Sequence, residues 1–204
     1  MNAKTPWQHI HETKAPTQVS WYQEHARFSL QFIQNTGIQR TGHIIDIGGG
    51  ASTLVDDLVT AGFQHITVLD TSATALQLAR ERLGARAVDV NWIEADITRA
   101  DLPHQTYDVW HDRAVFHFLT QIDDRQHYIN TVRHAVRTGG HVIIATFAPD
   151  GPDHCSGLDV VRYNPEGLHS EFGKSFELVE SACETHHTPS GTEQKFIYCY
   201  CRKN

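Results

Sequence analysis

The stretch that most constrains the fold is His43-Ile44-Ile45-Asp46-Ile47-Gly48-Gly49-Gly50-Ala51-Ser52, where an apolar run meets three glycines and then a helix start. Ile44, Ile45 and Ile47 read as a parallel strand covered on both faces. Gly48 to Gly50 permit positive φ and a close backbone approach that a side chain would block. Ser52 or Thr53 then caps a helix carried by Leu54, Val55 and Leu58, whose first amides point N–H groups at a polar ligand. About twenty residues past the turn, Val68-Leu69-Asp70 supplies a second buried strand ending in a carboxylate, where such folds hydrogen-bond a ribose. Together these elements describe a nucleotide-cofactor site. The dinucleotide fingerprint Gly-x-Gly-x-x-Gly needs a further glycine at position 53, which is Thr53, and this weakens the case for NAD or FAD.

The segment Asp46-x-Gly48-x-Gly50-x-Ser52 resembles the first motif of the class I S-adenosylmethionine-dependent methyltransferases, acidic-x-Gly-x-Gly-x-Gly, with Ser52 for the last glycine. Asn91-Trp92-Ile93-Glu94-Ala95-Asp96-Ile97 is similar to that family's third strand, and Tyr107-Asp108-Val109-Trp110-His111-Asp112-Arg113 to its fourth. Arg137-Thr138-Gly139-Gly140 through Thr146 is similar to its Pro-Gly-Gly turn and fifth strand, with Thr138 where proline is common. The resemblance implies an α/β, Rossmann-like doubly wound fold: a mostly parallel seven-stranded sheet with an antiparallel C-terminal hairpin and helices on both faces. It implies S-adenosyl-L-methionine as cofactor, S-adenosyl-L-homocysteine as product, and transfer by in-line displacement.

Implied cofactor contacts are Asp46, Gly48, Gly49, Gly50 and Ser52 around the methionine portion, Asp70 and Thr71 at the ribose, and Asp96 with Ile97 at the adenine, with Asp112 and Trp21 completing the set. Each has a plain alternative. Asp46 caps a loop, Asp70 caps the helix that follows, Asp96 serves a turn, and Trp21 and Tyr22 make core or staple contacts.

At 204 residues, 40% hydrophobic and 20% charged, the chain is expected to form a single domain over 1–204 with its own core. A net charge of −7 argues against a surface that tracks nucleic-acid phosphates. No apolar run has membrane-spanning length and no export segment opens the chain, so the expected location is cytoplasmic. Cys155, Cys183, Cys199 and Cys201 lack Cys-x-x-Cys spacing, which predicts reduced thiols. Cys199 and Cys201 fall on one strand face, as core residues would. The fifteen histidines are scattered, and the His9/His11 and His186/His187 pairs complete no ligand set, so no metal is expected.

Met1 to Gln18 reads as a loose arm or lid (1–20), and Ser20 as the cap of a helix through Trp21, Phe28 and Ile33 to Gly37. Strands at 43–47, 65–70, 91–95 and 107–112 alternate with helices at 52–61, 72–83 and 123–137, the pattern of a parallel sheet. After a strand at 140–147 comes a long loop, 148–164, read as part of the acceptor site. A helix at 165–172 and two closing strands end the chain.

A sulfonium methyl is already activated, so little covalent chemistry falls to the protein. His111, Arg113 and His117 follow the fourth strand and are the candidate catalytic residues. Either histidine deprotonates an acceptor or packs locally. Arg113 binds an anionic acceptor or pairs with Asp112 or a neighbouring acid, and Cys155 lines the pocket or is a plain loop cysteine. The segment is not of the Asn-Pro-Pro-Tyr type used on amides. A small-molecule acceptor is the leading expectation. The alternative is protein lysine, since Asp112-Arg113-Ala114 resembles the Asp-Lys-Gly segment of small lysine methyltransferases. The third possibility is a non-catalytic binder of the cofactor.

Overall fold

In the computed structural model, residues 6–204 are described. Five strands come first: β1 (His43–Ile47), β2 (His65–Asp70), β3 (Val90–Glu94), β4 (Tyr107–Arg113) and β5 (Val136–Phe147). A short ribbon, β6 (His154–Cys155) and β7 (Leu158–Asp159), precedes the closing hairpin of β8 (Phe176–His187) and β9 (Glu193–Lys203). The seven-stranded sheet has the order β3-β2-β1-β4-β5-β9-β8, with β9 alone antiparallel to its neighbours. The chain leaves β1 toward β3 and returns to β4 on the other side. Ligands of such sheets bind at that crossing, outside the carboxyl ends of the strands.

Adjacent isoleucines of β1 serve opposite faces. Ile44 joins Val68, Val109 and Ile143 under α2 (Arg27–Asn35), α3 (Leu54–Thr60) and α4 (Ala73–Leu83). Ile45 and Ile47 join Trp110, Val142 and Ile144 under α5 (Ile122–Ala135) and α6 (Pro165–Phe172). Each buried isoleucine contributes about 2 kcal/mol of hydrophobic stabilisation, which is why an unbroken apolar strand tolerates one carboxylate, Asp46, only at its ligand end.

Three local expectations are corrected. The helix foreseen from Ser20 begins at Arg27, because tertiary bonds hold the preceding segment as a strap over α3. Asp57 accepts from the Ala26 amide at 2.8 Å, Thr53 donates its hydroxyl to the Gln23 carbonyl, and the His186 ring bonds the Ser20 carbonyl. The helix foreseen to 137 ends at Ala135, where Val136 turns extended to pair with Tyr107. The loose arm contains a helix, α1 (Pro6–Thr13), docked on α4; the rest of that expectation, Met1 to Thr5, lies outside the described residues. Gln8 accepts from the Ser72 hydroxyl at 2.9 Å and donates to Thr74 Oγ1 at 2.6 Å, tying α1 to the first turn of α4. Among the described residues no helix is long and apolar enough to cross a membrane.

Candidate active site

The glycine turn after β1 has no room for side chains. Gly48 sits at φ +67°, and a Cβ there would lie 2.2 Å from Val115 Cγ2. A Cβ at Gly49 would meet Asp46 Oδ2 at 2.3 Å, and one at Gly50 would meet Asp70 Oδ2 and Ala75 Cβ at 2.5 Å. Asp70 braces this turn: it accepts from the Gly50 amide at 3.0 Å and from the Ser72 amide at 2.8 Å, while Ser72 Oγ caps α4 through the Ala75 amide. Burial pushes the Asp70 carboxyl up to about 6 against the pull of those amides. Besides this helix-start role, Asp70 lines a cavity.

That cavity, about 320 Å³, lies beyond the carboxyl ends of β1, β2 and β4. Gly48, Asp70, Thr71, Asp96 and Ile97 line one side; Trp7 and His11 of α1, with Trp21, roof it; Phe118, Phe147, Cys155 and Phe196 form the far wall. Trp7 packs edge-on against Phe118 at 4.8 Å and Trp21 at 5.9 Å, so aromatic contacts hold the roof to the wall. A smaller chamber of about 60 Å³ adjoins it, lined by Asp46, Gly49, Ser52 and His111 among others. His11, Trp21, Ile47, Gly48 and Arg113 border both, which places the junction of the two spaces at the glycine turn.

In the smaller chamber Asp46 Oδ1 and His111 Nδ1 are 2.7 Å apart, and Asp46 Oδ2 and His111 Nε2 are buried without partners. Ser52 Oγ accepts from the Leu54 amide, so Ser52, not Thr53, serves the start of α3. Asp96 Oδ1 accepts from the Thr98 amide and hydroxyl, a turn role that leaves it lining the larger cavity.

Three sequence candidates fall outside both spaces: Gly50, whose amide is held by Asp70, and Asp112 and His117. Asp112 is fully buried and its carboxylate accepts from the Val115 and Phe116 amides and from the Tyr128 hydroxyl at 2.6 Å, so the expected cofactor contact is replaced by a role in shaping the loop after β4. His117 is fully buried between Phe118 and Phe147, where Nδ1 accepts from the Phe147 amide. Burial, helped by Arg113, drives its pKa down to about 3. It is therefore a neutral packing residue with no path to an acceptor, and the expected base is absent there.

Arg113 does line the cavity, and it pairs with Glu184 of β8 rather than with Asp112. Its Nε donates to Glu184 Oε2 at 3.1 Å, and its guanidinium carbon lies 4.0 Å from the Phe196 ring centroid. Glu184 also accepts from Gln23 at 2.8 Å and from the Tyr198 hydroxyl at 3.2 Å. The side chain of Ala114, at φ +74°, marks the strained turn by which Arg113 and Val115 both come to face the cavity. Cys155 is buried on the far wall, and burial raises its thiol pKa. Cys199 and Cys201 pack in the core with sulfurs 3.5 Å apart.

The roof residues Trp7 and His11 escaped sequence reasoning, although their spacing of four places them on one helix face. Phe147, Phe196 and Glu184 come from distant strands and carried no local signal.

Residues 44–140 match the family model described as a methyltransferase domain. Two curated relatives are each 25% identical: the eEF1A lysine and N-terminal methyltransferase of Mus musculus, over 53% of this chain, and the EEF1A lysine methyltransferase 2 of Danio rerio, over 78%. The chain spans only 15% and 65% of their respective lengths. Among solved structures, the N-methyltransferase NodS of Bradyrhizobium japonicum WM9, in complex with S-adenosyl-l-homocysteine, superimposes with a TM-score of 0.74 at 14% identity, covering 98% of this chain and 99% of its own. The Burkholderia thailandensis 1,6-didemethyltoxoflavin-N1-methyltransferase, with its acceptor and S-adenosylhomocysteine bound, gives 0.67 at 16% identity over 96% and 81%. By its sheet order, its glycine turn and the match over residues 44–140, the chain has the Rossmann-like methyltransferase fold and carries a methyltransferase domain.

Proposed function

We propose that this enzyme methylates a small-molecule acceptor held in the larger cavity, between the α1 roof and the wall formed by Phe147, Cys155 and Phe196. The observation that carries this reading is the character of that far end among the described residues: aromatic walls, one thiol, and one fixed cation, Arg113, whose own counter-ion Glu184 is already engaged. The 148–164 loop, through Cys155, then serves as part of the acceptor site.

The residues present fit the cofactor. The glycine cradle that a Cβ would fill lets a ligand approach the backbone. Of the two orphaned atoms beside it, Asp46 Oδ2 and His111 Nε2, the carboxylate oxygen suits the ammonium of an amino-acid end. Asp70, with Thr71 beside it, would take the ribose hydroxyls, and Asp96 with the Ile97 amide the adenine edge. When bound, the cofactor supplies a methyl group already activated as a sulfonium. The protein's share is alignment and exclusion of water: Trp7, Trp21 and Phe118 close the space, and Arg113 fixes the charge at its wall.

The lysine reading draws on the two curated relatives and on Asp112-Arg113-Ala114. Against it, an ammonium would have to enter beside the Arg113 guanidinium, at a price the engaged Glu184 does not offset. The test is to incubate the protein with methyl-labelled S-adenosylmethionine and a cell extract, and to count label in protein, small-molecule and volatile fractions. Label in the small or volatile fractions supports this reading. Label on a discrete protein band replaces it with the lysine one, and no label despite measured cofactor binding points to a binding protein.

A further inference from the structure

The two spaces of the site meet at Gly48, and the side chains bordering both are few: His11 and Trp21 on the roof side, Arg113 on the wall, and Ile47 at the end of β1. On the reading just proposed, adenosine lies toward Asp70 and Asp96 and the amino-acid end toward Asp46 and His111. The sulfonium that links them then passes the junction, and the methyl group faces the far end of the larger cavity.

We infer that His11, carried on the roof helix α1, is the general base of this enzyme, and that the acceptor is a small apolar thiol. The inference rests on the small-molecule reading above.

His11 is the histidine that lines the larger cavity among the described residues; its Nδ1 is buried there with no hydrogen-bond partner, and the residue is 9% exposed. Of the other candidates, each of which also keeps an unpartnered Nε2, His111 lines only the smaller chamber with Nδ1 on Asp46, and His117 accepts from the Phe147 amide in the core, outside both spaces. Burial lowers the His11 pKa from its ordinary value, so the ring is neutral at neutral pH and Nδ1 offers a lone pair in the tautomer protonated at Nε2. Among the described residues, the other charged or titratable groups lining the same spaces are Arg113 of β4, Asp70 at the end of β2, Asp96, Cys155 of β6, Tyr22, and the Asp46–His111 pair. Arg113, at the junction, favours a developing anion on the acceptor.

The class of acceptor follows from this base. A carboxylate needs no deprotonation, and an ammonium is disfavoured by Arg113. An aliphatic alcohol is too weak an acid for an imidazole, whereas a thiol, with a pKa of about 8.5, is within reach of one. In the step, the thiol sulfur forms a bond to the methyl carbon while the bond from that carbon to the sulfonium breaks, leaving its electron pair on the departing thioether. The thiol proton moves to His11 Nδ1, and the resulting imidazolium releases it to solvent. Gln8 docks α1 on Ser72, whose amide holds Asp70, so the base reaches the junction through the same contacts that brace the ribose side.

The test compares the wild type with His11→Gln on two probe acceptors, phenylmethanethiol, which is protonated at neutral pH, and 4-nitrothiophenol, which is already ionised. The expected result is a loss of about 10²-fold or more in kcat on phenylmethanethiol, activity on 4-nitrothiophenol within a few-fold of wild type, an unchanged KM for S-adenosylmethionine, and loss of the acid limb of the pH profile. Calorimetry with S-adenosylhomocysteine checks that the variant binds as the wild type does. Nitrogen NMR of the labelled imidazole in that complex should find Nδ1 unprotonated at pH 7.5.

Equal losses on both thiols, a rise in KM for S-adenosylmethionine with kcat intact, or an imidazolium at pH 7.5 would overturn the assignment of His11. If the wild type methylates neither thiol, the acceptor class and its base fall together. The labelled-fraction experiment separately decides whether the acceptor is a small molecule at all.

Discussion

His111 of β4 lies directly opposite Asp46 of β1 in the sheet, and a 2.7 Å contact between Nδ1 and Oδ1 joins two side chains that are each 2% exposed. The pair sits where the strand order reverses. It turns the free Oδ2 toward the Gly49 backbone, since that oxygen would meet a Cβ there at 2.3 Å. The bond between strands thus fixes the orientation of a carboxylate at the cofactor end of the site.

Removing the histidine should therefore leave a buried carboxylate short of its partner. His111→Leu is expected to cost about 3 kcal/mol of stability and to weaken S-adenosylhomocysteine binding. Adding Asp46→Asn should recover part of the stability and none of the affinity. Urea denaturation and calorimetric titration of the three variants measure both quantities. Additive stability effects would sink the account of the pair.

The glycine turn makes a steric prediction. A methyl group at position 50 meets Asp70 Oδ2 and Ala75 Cβ at 2.5 Å, and Ala75 belongs to a buried helix turn that cannot move cheaply. Gly50→Ala should cost about 1–3 kcal/mol and displace Asp70, lowering cofactor affinity more than stability alone explains. Gly62→Ala is the control: its φ of +86° is strained for alanine but nothing lies within 4 Å of the added Cβ, so stability falls and binding holds.

What the sequence made legible is what is encoded locally. Ile44 to Gly50 specify strand and turn through an apolar run and three glycines, and Asp70 follows from the length of one strand-helix-strand unit. The helices expected at 72–83 and 165–172 form at 73–83 and 165–172, each behind a local side-chain cap, Ser72 and Asn164. What failed depends on long-range contacts. Asp112 looks like a ligand at the end of a strand until Tyr128, from the helix packed behind it, takes its carboxylate. Trp21 looks helical until Asp57 captures the Ala26 amide. Arg113 finds Glu184 seventy-one residues away, and Gln8 finds Ser72 sixty-four away, pairings that no periodicity encodes.

The raised carboxyl of Asp70 predicts opposed pH dependences. Its pKa of about 6 in the folded chain exceeds the value of roughly 4 in an unfolded one, so the folded state binds this proton more tightly. Its contribution to stability is present at low pH and is lost as pH rises through that window. Ligand binding runs the other way, because a protonated carboxyl has one acceptor oxygen fewer for ribose hydroxyls. Affinity for S-adenosylhomocysteine should fall by up to about tenfold for each pH unit below 6. Asp70→Asn should bind weakly at pH 7.5 and lose most of this dependence. A wild-type affinity that is flat between pH 7.5 and 5 would contradict the role given to Asp70.

Arg113 and Glu184 supply the last prediction, because each is 9% exposed at the side chain and each depends on the other. Arg113→Met keeps an apolar stem near the Phe196 ring but strands the Glu184 carboxylate, which retains only Gln23 and Tyr198 as donors. A cost of about 3 kcal/mol is expected for that change. Glu184→Gln alone leaves an uncompensated guanidinium on the cavity wall. It should cost less than Arg113→Met, because the guanidinium reaches the cavity while the carboxylate does not. In the double variant both charges are gone, and stability should return to within about 1 kcal/mol of wild type. Methyl transfer should not recover with it, since the cation that faces the acceptor is missing. A double variant that is as active as wild type would show that Arg113 serves the fold alone.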